Sequence, residues 1–99
     1  MAPPPGPGFL DVATAKRRIR HILEGGTVRF SQHALGEMAK DDLTTVDCVN
    51  VLRAGVVRPG EPERGTWRYQ VVTNRICVVV AFRSNEELVV VTAWRIQRR

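Results

Sequence analysis

From Asp11 onward, apolar residues recur at Val12, Ala15, Ile19, Ile22 and Leu23, the spacing of one face of a helix. Asp11 stands where an N-cap is needed, and Gly25-Gly26 supplies the stop. The polar side of that helix carries Lys16, Arg17, Arg18 and Arg20, a run that most often only solvates a helix and less often grips nucleic acid or an acidic partner. Thr27 to Phe30 reads as a short strand. Ser31 then caps a second helix over Gln32 to Lys40, with Ala34, Leu35 and Met38 inward and Asp41-Asp42 as its end. Thr44-x-x-Asp47 approximates a capping box for a third helix, with Val46, Val49 and Leu52 inward and Gly55 as stop.

After Gly55 the period changes from that of helices to that of strands. Val56 to Arg58 predicts a short edge strand closed by Pro59, and Gly60 to Gly65 a charged loop. Thr66 to Val72, Ile76 to Phe82 and Leu88 to Trp94 are β-branched and aromatic runs that predict an antiparallel meander. A last turn centred on Asn85 would set Cys77 against Ala93 and Val79 against Val91, while a turn at Thr73-Asn74 would bring Arg68 beside Val79 and Gln70 beside Cys77. Alternation then sends Arg68, Gln70, Arg75, Cys77, Ala93 and Arg95 to one face. Trp67, Tyr69, Val78, Val90, Thr92 and Trp94 share the other, against the helices. The expected fold is α+β, with N-terminal helices packed on a four- to five-stranded, mostly antiparallel sheet. One domain over residues 10–99 follows a Pro/Gly-rich lead-in over residues 1–9, which is expected to be disordered.

Charge and cysteine usage narrow the chemistry. The net charge is +5 and the pI near 10.2, which favours polyanionic partners. Most of the excess, about +4, lies after Val56, on the sheet half. Cys48 and Cys77 sit singly among valines and read as buried hydrophobes of a reducing compartment. With no CxxC, and with His21 and His33 in separate segments, neither a metal nor another cofactor is expected. The sequence shows no leader-like segment and no apolar run long enough to span a bilayer, so a cytoplasmic protein without membrane contact is expected.

Metal-free RNA cleavage needs a proton acceptor for the 2′-hydroxyl, charge on the phosphate and a proton for the leaving oxygen. Arginine suits the second task, because its fork matches phosphate and never loses its charge. Histidine suits either proton transfer near neutrality. His33, Arg68 and Arg95 form a minimal catalytic set if the helix that carries His33 lies over the arginine-rimmed face. Arg58, Arg64, Tyr69 and Arg75 are the candidate RNA-binding residues around it.

The order of helix, strand, two helices and meander resembles the RelE-like ribonuclease toxins, most nearly their MqsR branch. The likeness begins at Lys16-Arg17-Arg18-Ile19-Arg20, runs through Gly26-Thr27-Val28-Arg29 and Cys48-Val49-Asn50-Val51-Leu52, and ends at Thr92-Ala93-Trp94-Arg95. Ser31-x-His33-Ala34-x-x-x-Met38 also resembles a sister group of small uncharacterised domains often encoded beside zinc-ribbon antitoxin-like proteins. The resemblance implies the toxin of a bacterial type II toxin–antitoxin pair, a metal-independent endoribonuclease that cleaves mRNA. Its partner would be a cognate protein antitoxin, of zinc-ribbon or helix-turn-helix type. Arg95 matches the family's basic residue at the end of the last strand, and Arg68 its polar residue after the charged loop; Arg58 or Arg64 is a loose counterpart of the basic residue before that loop. Cys77 stands where the family has tyrosine, and Glu37 and Asp41 where sister domains often have arginine. The alternative readings are a catalytically inactive RelE-like domain that binds nucleic acid or a protein through the same surface, and a domain that dimerises through its valine-rich face. Monomer and homodimer both stay open.

Overall fold

The computed structural model of the chain describes residues 8–97. Helix α1 spans Val12–Gly25, β1 Thr27–Phe30, α2 Gln32–Lys40 and α3 Thr45–Ala54. The strands β2 Val56–Val57, β3 Glu61–Glu63, β4 Thr66–Val72, β5 Ile76–Ser84 and β6 Glu87–Arg95 complete an α+β domain with three helices and a mixed six-stranded sheet. Its order is β1-β6-β5-β4-β2, with β3 paired to β4 off that path. None of the helices among the described residues is long and apolar enough to cross a membrane.

The caps form as the sequence predicts. The Asp11 carboxylate accepts from Thr14 N–H at 2.7 Å, and Ser31 Oγ accepts from Ala34 N–H at 3.0 Å. Thr44 and Asp47 make the reciprocal capping box. The N–H bonds hold both Asp carboxyls below their ordinary pKa. All three helices lie on one face of the sheet. Ala15, Ile19 and Ile22 from α1, Ala34 and Met38 from α2, and Cys48, Val51 and Leu52 from α3 form one core with Tyr69, Val71, Val78, Val80, Leu88, Val90 and Ala93.

Two helix phases differ from expectation. Leu35 is 45% exposed and Val46 is 65% exposed, while Cys48 and Val51 fill the core beside Leu52. Apolar residues at 46, 48, 49, 51 and 52 offer α3 two stripes, and packing against β5 and β4 selects one. The lead-in over residues 1–9 falls mostly outside the described residues. Of its described end, Phe9 is exposed and its ring meets Trp67 edge-on at 4.9 Å, while just inside the domain Leu10 N–H donates to the Tyr69 hydroxyl at 2.7 Å.

Three features of the sheet also depart from the sequence reading. β1 pairs in parallel with β6, adding an edge beyond the meander. Part of the expected charged loop is the strand β3, which forms a hairpin with β4 through Arg64 and Gly65, both at positive φ (50° and 83°). Positive φ at both central residues is what a two-residue hairpin of type I′ demands. Third, β5 and β6 slip by one residue: Val80 faces Val90, but Val79 faces Thr92, which leaves Val91 as a β-bulge. The expected pairings of Cys77 with Ala93 and Val79 with Val91 therefore give way to Cys77 with Trp94 and Val79 with Thr92. The β4–β5 register is two residues from expectation, with Gln70 facing Val79, so each residue of that pair keeps its predicted side.

Two glycines separate close approach from simple helix propensity. At Gly26 a Cβ would lie 2.3 Å from the Glu86 carbonyl oxygen, where the chain enters β1. Gly36 in α2 has open space. Gly26→Ala should destabilise the protein by about 2 kcal/mol through forced backbone movement, and Gly36→Ala should stabilise it by about 0.5–1 kcal/mol. Urea unfolding of the two variants should show opposite signs. Burial also pushes the thiols of Cys48 and Cys77 up from 9.0 to about 11. In the unfolded chain both would ionise near 9, so their contribution to stability is whole below pH 9 and is lost as pH rises toward 11. Replacing both cysteines with alanine should flatten that alkaline decline in a pH series of melts; an unchanged slope would discount the thiols.

Candidate functional site

The bulge at Val91 decides what each sheet face presents. Beyond it, Ala93 turns inward and is fully buried in the helix-side core, while Thr92 and Trp94 turn to the opposite, helix-free face. This reverses the expected sides of Ala93, Thr92 and Trp94. Arg95 goes with Ala93. Its backbone N–H donates to Asp41 Oδ2 at 2.8 Å, its Nε to the Asp41 carbonyl at 2.8 Å and its Nη2 to the Asp42 carbonyl at 3.1 Å. The guanidinium thus satisfies carbonyls at the C-terminal end of α2, where positive charge is favoured.

Arg68 is the focus of the helix-free face. It lies between two shallow troughs and lines both. One, of about 220 Å³, has Glu61, Glu63, Gln70, Thr92 and Trp94 around it. The other, of about 310 Å³, has Arg83 and Thr66 at its rim and Ala81, Val89 and Val91 as an apolar floor. The Arg68 side chain is 29% exposed, and Nη1 stands 3.6 Å from Glu63 Oε2, a loose pairing. Its Nε is buried and has no hydrogen-bond partner. A buried, unpartnered donor is costly, so it marks a place where a ligand acceptor would be strongly favoured. The trough toward Arg83 has two guanidinium groups and no carboxylate in its lining, a suitable setting for a phosphate.

The predicted catalytic residues are not brought together. His33 sits in the first turn of α2, on the helical layer, with its side chain 68% exposed and Nε2 3.8 Å from Glu37 Oε1. Glu37 also pairs with Lys40 at 3.1 Å. Arg95 is on the helix side and bound to α2, and Arg68 alone occupies the open face. Among the predicted RNA-binding residues, Tyr69 is fully buried under the helices, its ring 5.4 Å from that of Phe82. Arg58 is exposed beside Gln70, to whose carbonyl its N–H donates at 2.8 Å. Its charge acts on the Cys77 thiol on the open face, but burial dominates there and keeps the thiol protonated at neutral pH. Arg64 is at the β3–β4 hairpin tip and Arg75 in the β4–β5 turn, both exposed. Sequence reasoning missed Trp94 and Thr92 as neighbours of Arg68, because a bulge has no signature in a valine-rich strand, whereas Arg83 lies on β5 at a position that alternation already sends to this face. Among the described residues, no group of three His, Cys, Asp or Glu is placed to hold a metal ion.

A hollow of about 400 Å³ lies between α1 and α3 with Arg20, Glu24 and Arg53 at its rim. Its rim is made of exposed, long side chains and contains no buried polar group, so it is the weaker candidate.

The Arg95 clamp has a direct test. Arg95→Ala should lower stability by about 1–2 kcal/mol, because carbonyls at the end of α2 lose their donors. Arg95→Lys should recover little of this, since an ammonium cannot fork between two carbonyls. Urea unfolding measures both; an Arg95→Ala protein as stable as the parent would leave the clamp without energetic weight.

No curated protein and no solved structure matches the chain. Residues 30–95, about two thirds of the sequence, match a family described as "Domain of unknown function (DUF4258)". The match opens at Phe30, beside Ser31-x-His33-Ala34, takes in α2 through β6, and ends on Arg95. On that span, which holds the bulge, the clamp and Arg68, the chain belongs to the DUF4258 family.

Proposed function

We propose that this protein is a RelE-like, toxin-type domain of a bacterial toxin–antitoxin pair and that it engages RNA through the helix-free face of its sheet. Arg68 carries the reading: a half-buried guanidinium with an unpartnered Nε, set between an apolar trough and a trough that contains Trp94. Arg68 and Arg83 suit a phosphate, and the partly exposed Trp94 suits a stacked base. The bulge gives this face the aromatic that the unslipped register would have buried. Binding is better supported than cleavage, because His33 and Arg95 both belong to the opposite layer. The cognate antitoxin, a zinc-ribbon or helix-turn-helix protein, would neutralise the domain by covering the same face.

Fluorescence anisotropy with a single-stranded RNA in EDTA tests the reading. Arg68→Ala should weaken binding about tenfold or more, as expected for loss of a charge-assisted hydrogen bond. Trp94→Ala should cost about 1–3 kcal/mol if a base stacks there. The Arg68→Ala change should also flatten the salt dependence by roughly 0.7 in log–log slope for each phosphate that is no longer neutralised. Gel analysis of the same samples reads cleavage; a 5′-hydroxyl product that disappears in His33→Ala would restore the catalytic reading. Equal RNA affinity in Arg68→Ala and the parent, at matched folded fraction, would end the proposal.

A further inference from the structure

Helix α1 carries positive charge for which the core has no use. Lys16, Arg17 and Arg20 are exposed, and Arg18 is half-buried. The Arg18 guanidinium carbon lies 5.4 Å from the centre of the Phe82 ring, within cation–π reach. Phe82 and Arg83 also line the apolar trough beside Arg68. On the helical side of the same rim is another trough of about 270 Å³, lined by Thr14, Arg17, Arg18, His21 and Asn85. Asn85 belongs to the turn between β5 and β6, two residues beyond Arg83, so the end of one hairpin borders both hollows.

The nearby carboxylates are already engaged. Asp11 accepts from Thr14 N–H at 2.7 Å, and Glu86 holds His21 Nε2 at 2.8 Å. Arg17 has one neutral contact, donating to Thr14 Oγ1 at 3.1 Å. Lys16, Arg17, Arg18 and Arg20 stand against Asp11, Glu24 and Glu86, four positive charges to three negative, so the local surplus is positive. α1 also lies outside the segment matched to the family.

We propose that the Arg17–Arg18 trough is a second phosphate subsite, joined around the β5–β6 end to the trough at Arg68 and Arg83, and that the RNA bound is single-stranded. This rests on the reading of the open face as an RNA surface. The strand class follows from geometry: the troughs lie on opposite layers, and only a flexible strand turns so sharp a rim. Duplex nucleic acid bends smoothly only over lengths on the order of 50 nm.

The test is anisotropy on the full chain with single strands of about four and about fourteen nucleotides, sizes that bracket one small-domain site, and with a duplex of the longer length. Arg17→Glu and, separately, Arg18→Gln should weaken the longer strand about tenfold and leave the shorter one unchanged. Their salt dependence on the longer strand should be shallower by roughly 0.7 for each phosphate released from the protein. Arg68→Ala should weaken both lengths. Parent-like binding of the longer strand by both α1 variants, with Arg68→Ala still impaired, overturns the second subsite and leaves the open-face reading standing. Loss of Arg68 without effect on either length, or no binding of any RNA by the parent, overturns both. A duplex bound as tightly as the longer strand overturns the strand class.

Discussion

Between the Val80–Val90 and Val79–Thr92 pairs, β6 carries one residue more than β5, and beyond that point the odd and even side chains of β6 exchange faces. Without the extra residue, Trp94 would be driven toward the helices and Ala93 away from them. With it, the smallest side chain of the strand's end lies fully buried under the helices. The slip is held in place from outside the strand. Ser31 N–H donates to the Val90 carbonyl at 3.1 Å, and Ser31 Oγ donates to the Val91 carbonyl at 3.1 Å while accepting from Ala34 N–H. One hydroxyl thus caps α2 and occupies the carbonyl that the bulge removes from the ladder. At the other end of α2, Arg95 closes the same helix against the same strand. The Ser31-x-His33-Ala34 segment accordingly has a structural logic: serine for the bulge, alanine for close packing, and histidine turned outward.

What the sequence disclosed divides along the line between local and non-local causes. Asp11, Ser31, Thr44 and Asp47 act within three residues, and each cap stands where the chain predicts it. The boundaries of β4 were legible because β-branched and aromatic residues fill Thr66 to Val72, interrupted only by Arg68 and Gln70 on the alternate positions. The β5–β6 register of position n with 170 − n holds at Val80, Ala81 and Phe82 and shifts by one residue on both sides of that stretch, at Val91 and again between Phe82 and Ser84. The shift at Val91 has no local sign: Val89, Val90 and Val91 are identical residues, and the hydroxyl that stabilises the slip comes from Ser31. The parallel partner of β1 was equally hidden, since four residues cannot specify which edge they join. Arg64-Gly65 was the exception, a hairpin signal present in the sequence but obscured by the charged residues around it. For the candidate site, Arg68 was legible as a polar residue on an apolar strand. Its neighbour Trp94 was not, and Arg95 was assigned to the wrong face, because both outcomes depend on the bulge.

The arginines sort by the work their surroundings leave them. Arg95 is committed to two carbonyls, Arg29 pairs with Glu87 at 2.9 Å, and Arg18 lies over an aromatic ring. Arg68 has only a carboxylate at 3.6 Å, contributed by an exposed hairpin, and that distance is too long for a charge-assisted hydrogen bond. An exposed pairing of this kind contributes about 0–1 kcal/mol and is readily exchanged for a better acceptor. Glu63 therefore screens the guanidinium without fixing it.

The contacts that hold the fold lie mostly on one face of the sheet. The helix side holds the core cluster, the caps, the bulge contact and the Arg95 clamp. The other side holds few bonds that the fold requires: Cys77 and Val79 are covered by neighbouring side chains, and Ala81, Val89 and Val91 are left partly exposed. A small domain has little stability to spare, on the order of 5–15 kcal/mol in total. Within that margin a buried guanidinium nitrogen without a partner costs about 1–3 kcal/mol. The position is compatible with a stable fold because the core on the far side is complete without it. The unpaired Nε is therefore a local cost that the rest of the fold offsets.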